Sequence, residues 1–173
     1  MAMAYAVLGE MKRMLTNLEG CLDKTVKYAA TRGFDPNNLL TARLAPDMFT
    51  FTRQVQSACD NAKFAAVRLT GKEGPSFPDN EQTIEQLKAR IRATVAHLDT
   101  YKADDFGGAE TRVIVMPRRE GKTMKGSDYL LEYSLPNFFF HVTMAYAVLR
   151  HNGVDVGKAD YLGPLSLKAP DAG

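Results

Sequence analysis

Three histidines, His97, His141 and His151, are the side chains in this sequence best suited to hold a metal, move a proton or accept a hydrogen bond near neutral pH. His141 lies in the middle of Leu135-Pro-Asn-Phe-Phe-Phe-His-Val-Thr-Met-Ala-Tyr-Ala-Val-Leu-Arg-His-Asn-Gly153, a run that is apolar on nearly every side. An imidazole inside such a run is buried, and a buried ring needs a hydrogen bond, a metal or a ligand. Metal sites on one helix use ligands three or four residues apart. Asn137 and Ala145 stand four residues either side of His141, so this helix offers one metal ligand at most. His151 is ten positions further on, about 15 Å along a helix axis, too far to share a metal. It reads as a C-terminal cap favoured by the helix dipole. His97, among Ala96, Leu98 and Asp99, reads as a surface or boundary histidine.

The second helical pattern supplies a partner for His141. Asp47, Phe51, Gln54 and Ala58 fall on one line, so Gln54 can point inward and meet the imidazole, whereas Asp60 falls away from that seam. Tyr146 and Tyr161 can supply hydroxyls. A pocket lined by His141, Gln54 and Tyr146 would bind a small molecule through hydrogen bonds. Two other readings stand beside it. One is a core histidine satisfied by Gln54, a tyrosine or a backbone carbonyl. The other is a divalent ion, zinc or nickel, with His141 as its ligand; otherwise no cofactor is expected.

Other templates fail. Gly107-Gly108 is not followed by the Lys and Ser or Thr of a phosphate loop, and no nucleophile elbow is visible. Cys21 and Cys59 sit inside helical patterns without charged neighbours that would mark a reactive thiolate. They read as small buried hydrophobes of a reducing compartment. Arg118, Arg119, Lys122 and Lys125 cluster in a Gly-containing turn and read as a solvated loop.

Four amphipathic helices must position these groups. Val7, Leu8, Met11, Met14, Leu15, Leu18, Leu22, Val26 and Ala29 form the first stripe, closed by Gly33. A connection over 34–45 leads to Pro46, suited to the first turn of a second helix that runs through Met48, Phe51, Val55, Ala58, Ala62, Ala65 and Leu69 to Gly71. Asp79 or Asn80 is placed to cap the third, whose seam is Ile84, Leu87, Ile91, Thr94, Leu98 and Tyr101. Glu85, Lys88, Arg90 and Arg92 mark its solvated face, and residues 104–108 end it. Thr111 to Met116 and Lys122 to Lys125 fit a short β-hairpin. The state of Asp128 to Tyr133 is open. Leu135 to Gly153 is the fourth helix, and the Gly- and Pro-containing tail from Val154 packs on the bundle irregularly.

A chain of 173 residues is expected to form one domain, 1–173, with a core that needs no staples. The net charge of +2, with bases interleaved among acids, gives no reason to expect nucleic acid. Glu10, Lys12 and Arg13 interrupt the apolar residues at the start, so no signal segment or membrane partner is expected and the cytoplasm is the expected location. If a second subunit covers the outer side of the fourth helix, the protein is a homodimer.

The runs Leu135-Pro-Asn-Phe-Phe-Phe-His141, Ala145-Tyr-Ala-Val-Leu-Arg-His-Asn-Gly153 and Gly157-Lys-Ala-Asp-Tyr-Leu-Gly163 resemble a branch of the DinB/YfiT-like metalloenzyme superfamily grouped as a domain of unknown function. The resemblance spans about Leu8 to Leu165. It implies an all-α four-helix bundle with helices ordered up-down-down-up, commonly dimeric. The superfamily's usual site has three histidines, one on the second helix and a His-x-x-x-His pair on the fourth. Here the second helix has none, Ala145 replaces the second member of the pair, and only His141 can match. The resemblance therefore implies a bundle that lacks the metal triad. It leaves three function classes: a small-molecule pocket around His141, a metal-dependent hydrolase or thiol transferase of the glutathione or mycothiol kind, and a structural or interaction dimer.

Overall fold

The computed structural model describes residues 3–168, the Arg118 side chain excepted. The expected tail residue Pro170 lies outside the described residues. Helix α1, Met3–Arg32, buries Leu8, Met11, Leu15, Leu18 and Leu22 on one stripe. It ends at Gly33, whose φ of 72° is left-handed and suits a residue without Cβ. A 3-10 turn, Pro36–Thr41, opens with the Asp35 carboxylate accepting the Asn37 N–H at 2.9 Å.

Helix α2, Phe51–Thr70, begins later than the Pro46 expected from sequence. Thr50 is the cap, its hydroxyl accepting the Arg53 N–H, so Pro46, Asp47 and Met48 belong to the connection. Helix α3, Ile84–Asp99, is capped by Thr83, which accepts the Gln86 N–H at 3.1 Å. The expected caps, Asp79 and Asn80, lie upstream of it. Strands β1, Val113–Val115, and β2, Thr123–Lys125, pair antiparallel with Ile114 opposite Met124, forming the expected hairpin.

A helical turn α4, Gly126–Asp128, passes through a π-helical stretch, Tyr129–Ser134, into α5, Leu135–His151. Pro136 explains the widening. Its nitrogen cannot donate and its ring crowds the carbonyl four residues back, so the turn before it opens and the Leu135 N–H reaches Leu130. At the far end the Asn152 side chain, rather than His151, donates to the Val148 carbonyl at 2.8 Å. The tail, expected to be irregular, forms the short helix α6, Lys158–Leu162. It docks on α1 through Asn17 to the Tyr161 carbonyl and Lys24 to Asp160.

Side-chain pairs give the helix directions. Asp60 meets Arg90 while Val67 lies beside the same short loop residue, Gly74, as His97, so α2 and α3 run parallel. Lys12 pairs with Asp99 and Glu19 with Arg92, so α1 and α3 are antiparallel. Gln54 meets His141 and Arg68 meets Tyr129, so α2 and α5 are antiparallel. The order is up-down-down-up, an all-α bundle with a minor hairpin. Parallel α2 and α3 require a connection as long as the bundle. Residues 71–83 supply it, since 13 extended residues reach roughly 43 Å against roughly 30 Å for α2.

That strap corrects the solvated face expected for α3. Lys88 is largely covered and pairs with Asp23 of α1 and with Glu85. The Arg90 side chain is 1% exposed. It bonds to Asp60 of α2 and to Asp79 and Glu81 of the strap, at 2.9–3.0 Å, and lies 4.3 Å from the Phe77 ring. Burial opposes its charge, but these carboxylates more than offset that and hold it firmly cationic. Helix α5 is also less enclosed than its composition suggests. Phe138, His141, Val142, Ala145, Val148 and Leu149 face inward, whereas Phe140 is half exposed. No helix among the described residues is long and apolar enough to cross a membrane.

Candidate functional site

The antiparallel seam of α2 and α5 builds the site in three steps along α2. Gln54, Asn61 and Arg68 are seven residues apart, so they lie on nearly the same face, two turns between each. Each meets a residue of the opposite chain direction: His141, Asn137 and Tyr129. Arg53, Ser57, Asp60 and Phe64 interleave with them. Arg53, Ser57, Asp60, Asn61, Phe64 and Arg68 of α2, with Phe49, Met116, Pro117, Arg119, Tyr133, Asn137 and His141, line a pocket of about 380 Å³.

His141 is 8% exposed and its Nδ1 lies 2.7 Å from Gln54 Oε1. With the amide oxygen assigned as acceptor, Nδ1 carries the proton and Nε2 is a lone pair. Nε2 makes no hydrogen bond among the described residues. Burial, with the Arg53 charge nearby, holds the imidazole down at about 4, so it is neutral at pH 7. Phe49 stacks on the ring with centroids 6.2 Å apart, and Phe140 meets it edge-on at 5.3 Å. These rings fix its orientation as well as drying its surroundings.

The pocket's other groups are cationic and amide. Arg53 bonds to Asp79 at 2.6 Å and lies over Phe49. Arg68 stacks 5.0 Å from the Phe64 ring and 5.5 Å from Tyr129, and bonds to the Tyr129 hydroxyl at 3.3 Å. The Asn137 amide donates to Asn61 at 2.7 Å. Asp60 is the one carboxylate in the lining among the described residues, and its Oδ1 is taken by Arg90 and Lys63. Among the described residues no three His, Cys, Asp or Glu side chains are placed to hold a metal ion. The residues around His141 do not suit a metal cation. The nearest partner is an amide, and three arginines, Arg53, Arg68 and Arg119, line the same space.

His141 and Gln54 meet as the sequence suggests, but Gln54, expected in the pocket lining, is not part of it, and three other groups are placed differently. Tyr146 does not line this pocket. Its hydroxyl donates to the Val156 carbonyl and its ring packs edge-on against Tyr161, because α5 turns that side toward the tail. The Tyr161 hydroxyl pairs with Thr143 at 2.9 Å. Tyr133, from the π-helical stretch, is the tyrosine in the lining. Asp60, expected to face away, lines the pocket. Arg119, expected in a solvated turn, is exposed yet reaches its rim. A signal for the missed residues was present. Arg53, Ser57, Asn61, Phe64 and Arg68 recur at three- and four-residue spacing as a polar stripe beside the apolar seam.

His97 contacts the Tyr101 hydroxyl at 3.3 Å, away from this pocket, and burial lowers its proton affinity. The cysteines are buried; burial pushes Cys21 to about 11 and Cys59 to about 12, so neither is a ready thiolate.

Fold and seam define a DinB-like helical bundle with one histidine at the position where α2 and α5 meet. The family described as "Domain of unknown function (DUF1993)" matches residues 4–162, and the chain belongs to it. The crystal structure of a DinB family member protein from Shewanella denitrificans is 42% identical to this chain and superposes with a TM-score of 0.91. The match covers 94% of this chain and 93% of that one. No curated protein matches the chain.

Proposed function

We propose that this protein binds a small molecule in the pocket beside His141, through hydrogen bonds rather than through a metal. The observation that carries the reading is the arrangement of the imidazole. Gln54 occupies Nδ1, and the neutral ring leaves the Nε2 lone pair without a partner among the described residues, beside a pocket of about 380 Å³. A core histidine serving packing alone would have both nitrogens satisfied or sealed. The pocket volume is within the range of small-molecule sites. The same geometry argues against the metal-dependent hydrolase or thiol transferase, whose ion would face Arg53 and Arg68 with one imidazole as ligand. The protein acts as a cytoplasmic binding protein in this reading.

The test is a fragment soak followed by structure determination, with elemental analysis of protein purified without chelator. A fragment donating a hydrogen bond to His141 Nε2 is the expected result. Fragments that bind only elsewhere, or a stoichiometric zinc or nickel ion lost in His141→Ala, would replace this reading with an interaction protein or a metalloenzyme respectively. The half-exposed Phe140 favours a homodimer built on the outer side of α5. A Phe140→Asp variant that sediments as a monomer while the parent is dimeric supports that arrangement; a monomeric parent refutes it.

A further inference from the structure

We infer that the ligand of this pocket is a small organic oxyanion, its acid group held by Arg68 and Arg119 and its apolar body lying against Phe64 and Phe49. The inference rests on the pocket being the binding site and adds the class of molecule it takes. Charge is the first argument. Of the three arginines in the lining, Arg53 has a carboxylate partner, Asp79. Arg68 and Arg119, which both line the pocket, have none among the described residues. The carboxylate of the lining, Asp60, already serves Arg90 and Lys63. The pocket therefore carries unbalanced positive charge in a partly dry setting, where an anion gains most.

Geometry is the second argument. The Arg68 guanidinium is held between the Phe64 and Tyr129 rings and tethered by the Tyr129 hydroxyl. A fork fixed in this way loses little side-chain freedom when it takes a carboxylate or a phosphate on two of its N–H groups. Phe49 and Phe64 are 52% and 38% exposed, large aromatic surface left open beside these charges. That pairing suits a molecule with an acid group at one end and a flat apolar body. A bare inorganic ion would leave the aromatic surface unused.

The test uses calorimetric titration of the whole protein with benzoate, phenyl phosphate, the neutral isostere benzamide, and inorganic phosphate. Benzoate or phenyl phosphate is expected to bind about tenfold or more tightly than benzamide, the value of one charge-assisted hydrogen bond, and to weaken as salt is raised. Arg119→Gln, on an exposed turn and so without risk to the fold, and Arg68→Gln should each remove most of that preference. Each should weaken benzoate more than benzamide, and Arg92→Gln, paired with Glu19 elsewhere, should leave the preference unchanged. If Arg68→Gln fails to fold by circular dichroism, Arg119→Gln decides. Equal binding of benzoate and benzamide, or a preference that survives Arg119→Gln, overturns the anion inference and leaves the pocket standing. Inorganic phosphate binding as tightly as phenyl phosphate overturns the apolar body. No binding of any probe at millimolar concentration overturns both the inference and the pocket reading beneath it.

Discussion

Replacing His141 with Gln should remove most of the acid sensitivity of this fold between neutral pH and about 4. In the unfolded chain the imidazole titrates near 6.5; in the native seam, burial and the Arg53 charge hold it at about 4. Between those values the unfolded state binds more protons than the native state, so stability falls as pH falls. The contribution is fully present above about 6.5, declines through that window, and is gone below about 4, where both states are protonated. At 1.36 kcal/mol per unit the difference corresponds to about 3 kcal/mol. His97 is lowered in the same direction by burial, so the whole protein's slope exceeds this single contribution. Comparison with His141→Gln isolates it, since Gln keeps a donor for Gln54 Oε1 and does not titrate. Urea unfolding at steps from neutral pH down to about 4 should give curves of stability against pH that diverge by about 3 kcal/mol. Parallel curves, or an imidazole that titrates near 6.5 by NMR in the native protein, would refute the placement of His141 in a dry seam.

Arg90→Met should lower stability by about 2–4 kcal/mol in urea unfolding, because it removes the buried cation shared by Asp60, Asp79 and Glu81 and leaves them only Lys63, Arg53 and the Gln56 amide. A loss below about 1 kcal/mol would show that the strap over 71–83 is held by other contacts. Gly126→Ala should cost about 1–3 kcal/mol and shift α4, since its Cβ would stand 1.8 Å from the Ala109 carbonyl oxygen; an unchanged thermal midpoint would contradict that close approach. Tyr146→Phe should leave pocket binding unchanged and cost about 1 kcal/mol or less, the worth of its long bond to Val156. Loss of ligand affinity in that variant would return Tyr146 to the site.

The helices were legible because each buries one stripe, and a stripe at three- and four-residue spacing survives in the sequence: Leu8, Met11, Leu15, Leu18 and Leu22 on α1, Ile84, Leu87, Ile91 and Leu98 on α3. The contact of His141 with Gln54 was legible for the same reason, since both sit on the inward line of an apolar helix. Helix ends were less legible. Thr50 and Thr83 cap α2 and α3, while Pro46, Asp79 and Asn80 carry equally good local chemistry that the chain path uses otherwise.

The sequence by itself determined four helical faces, a hairpin, and one imidazole that must be buried with a partner, because burial and periodicity are properties of neighbouring residues along the chain. Tertiary structure alone decided which polar groups share a space. Arg90 looks solvent-facing on α3 until the parallel packing of α2 and α3 lays an acidic strap over it. Tyr146 and Tyr133 are both near His141 in sequence, yet the π-helical widening before Pro136 and the docking of the tail leave Tyr133 at the pocket and turn Tyr146 away. A polar side chain carries no periodic demand to be inside. Its partners come from whichever element crosses it, and that crossing is settled by the packing of the whole bundle.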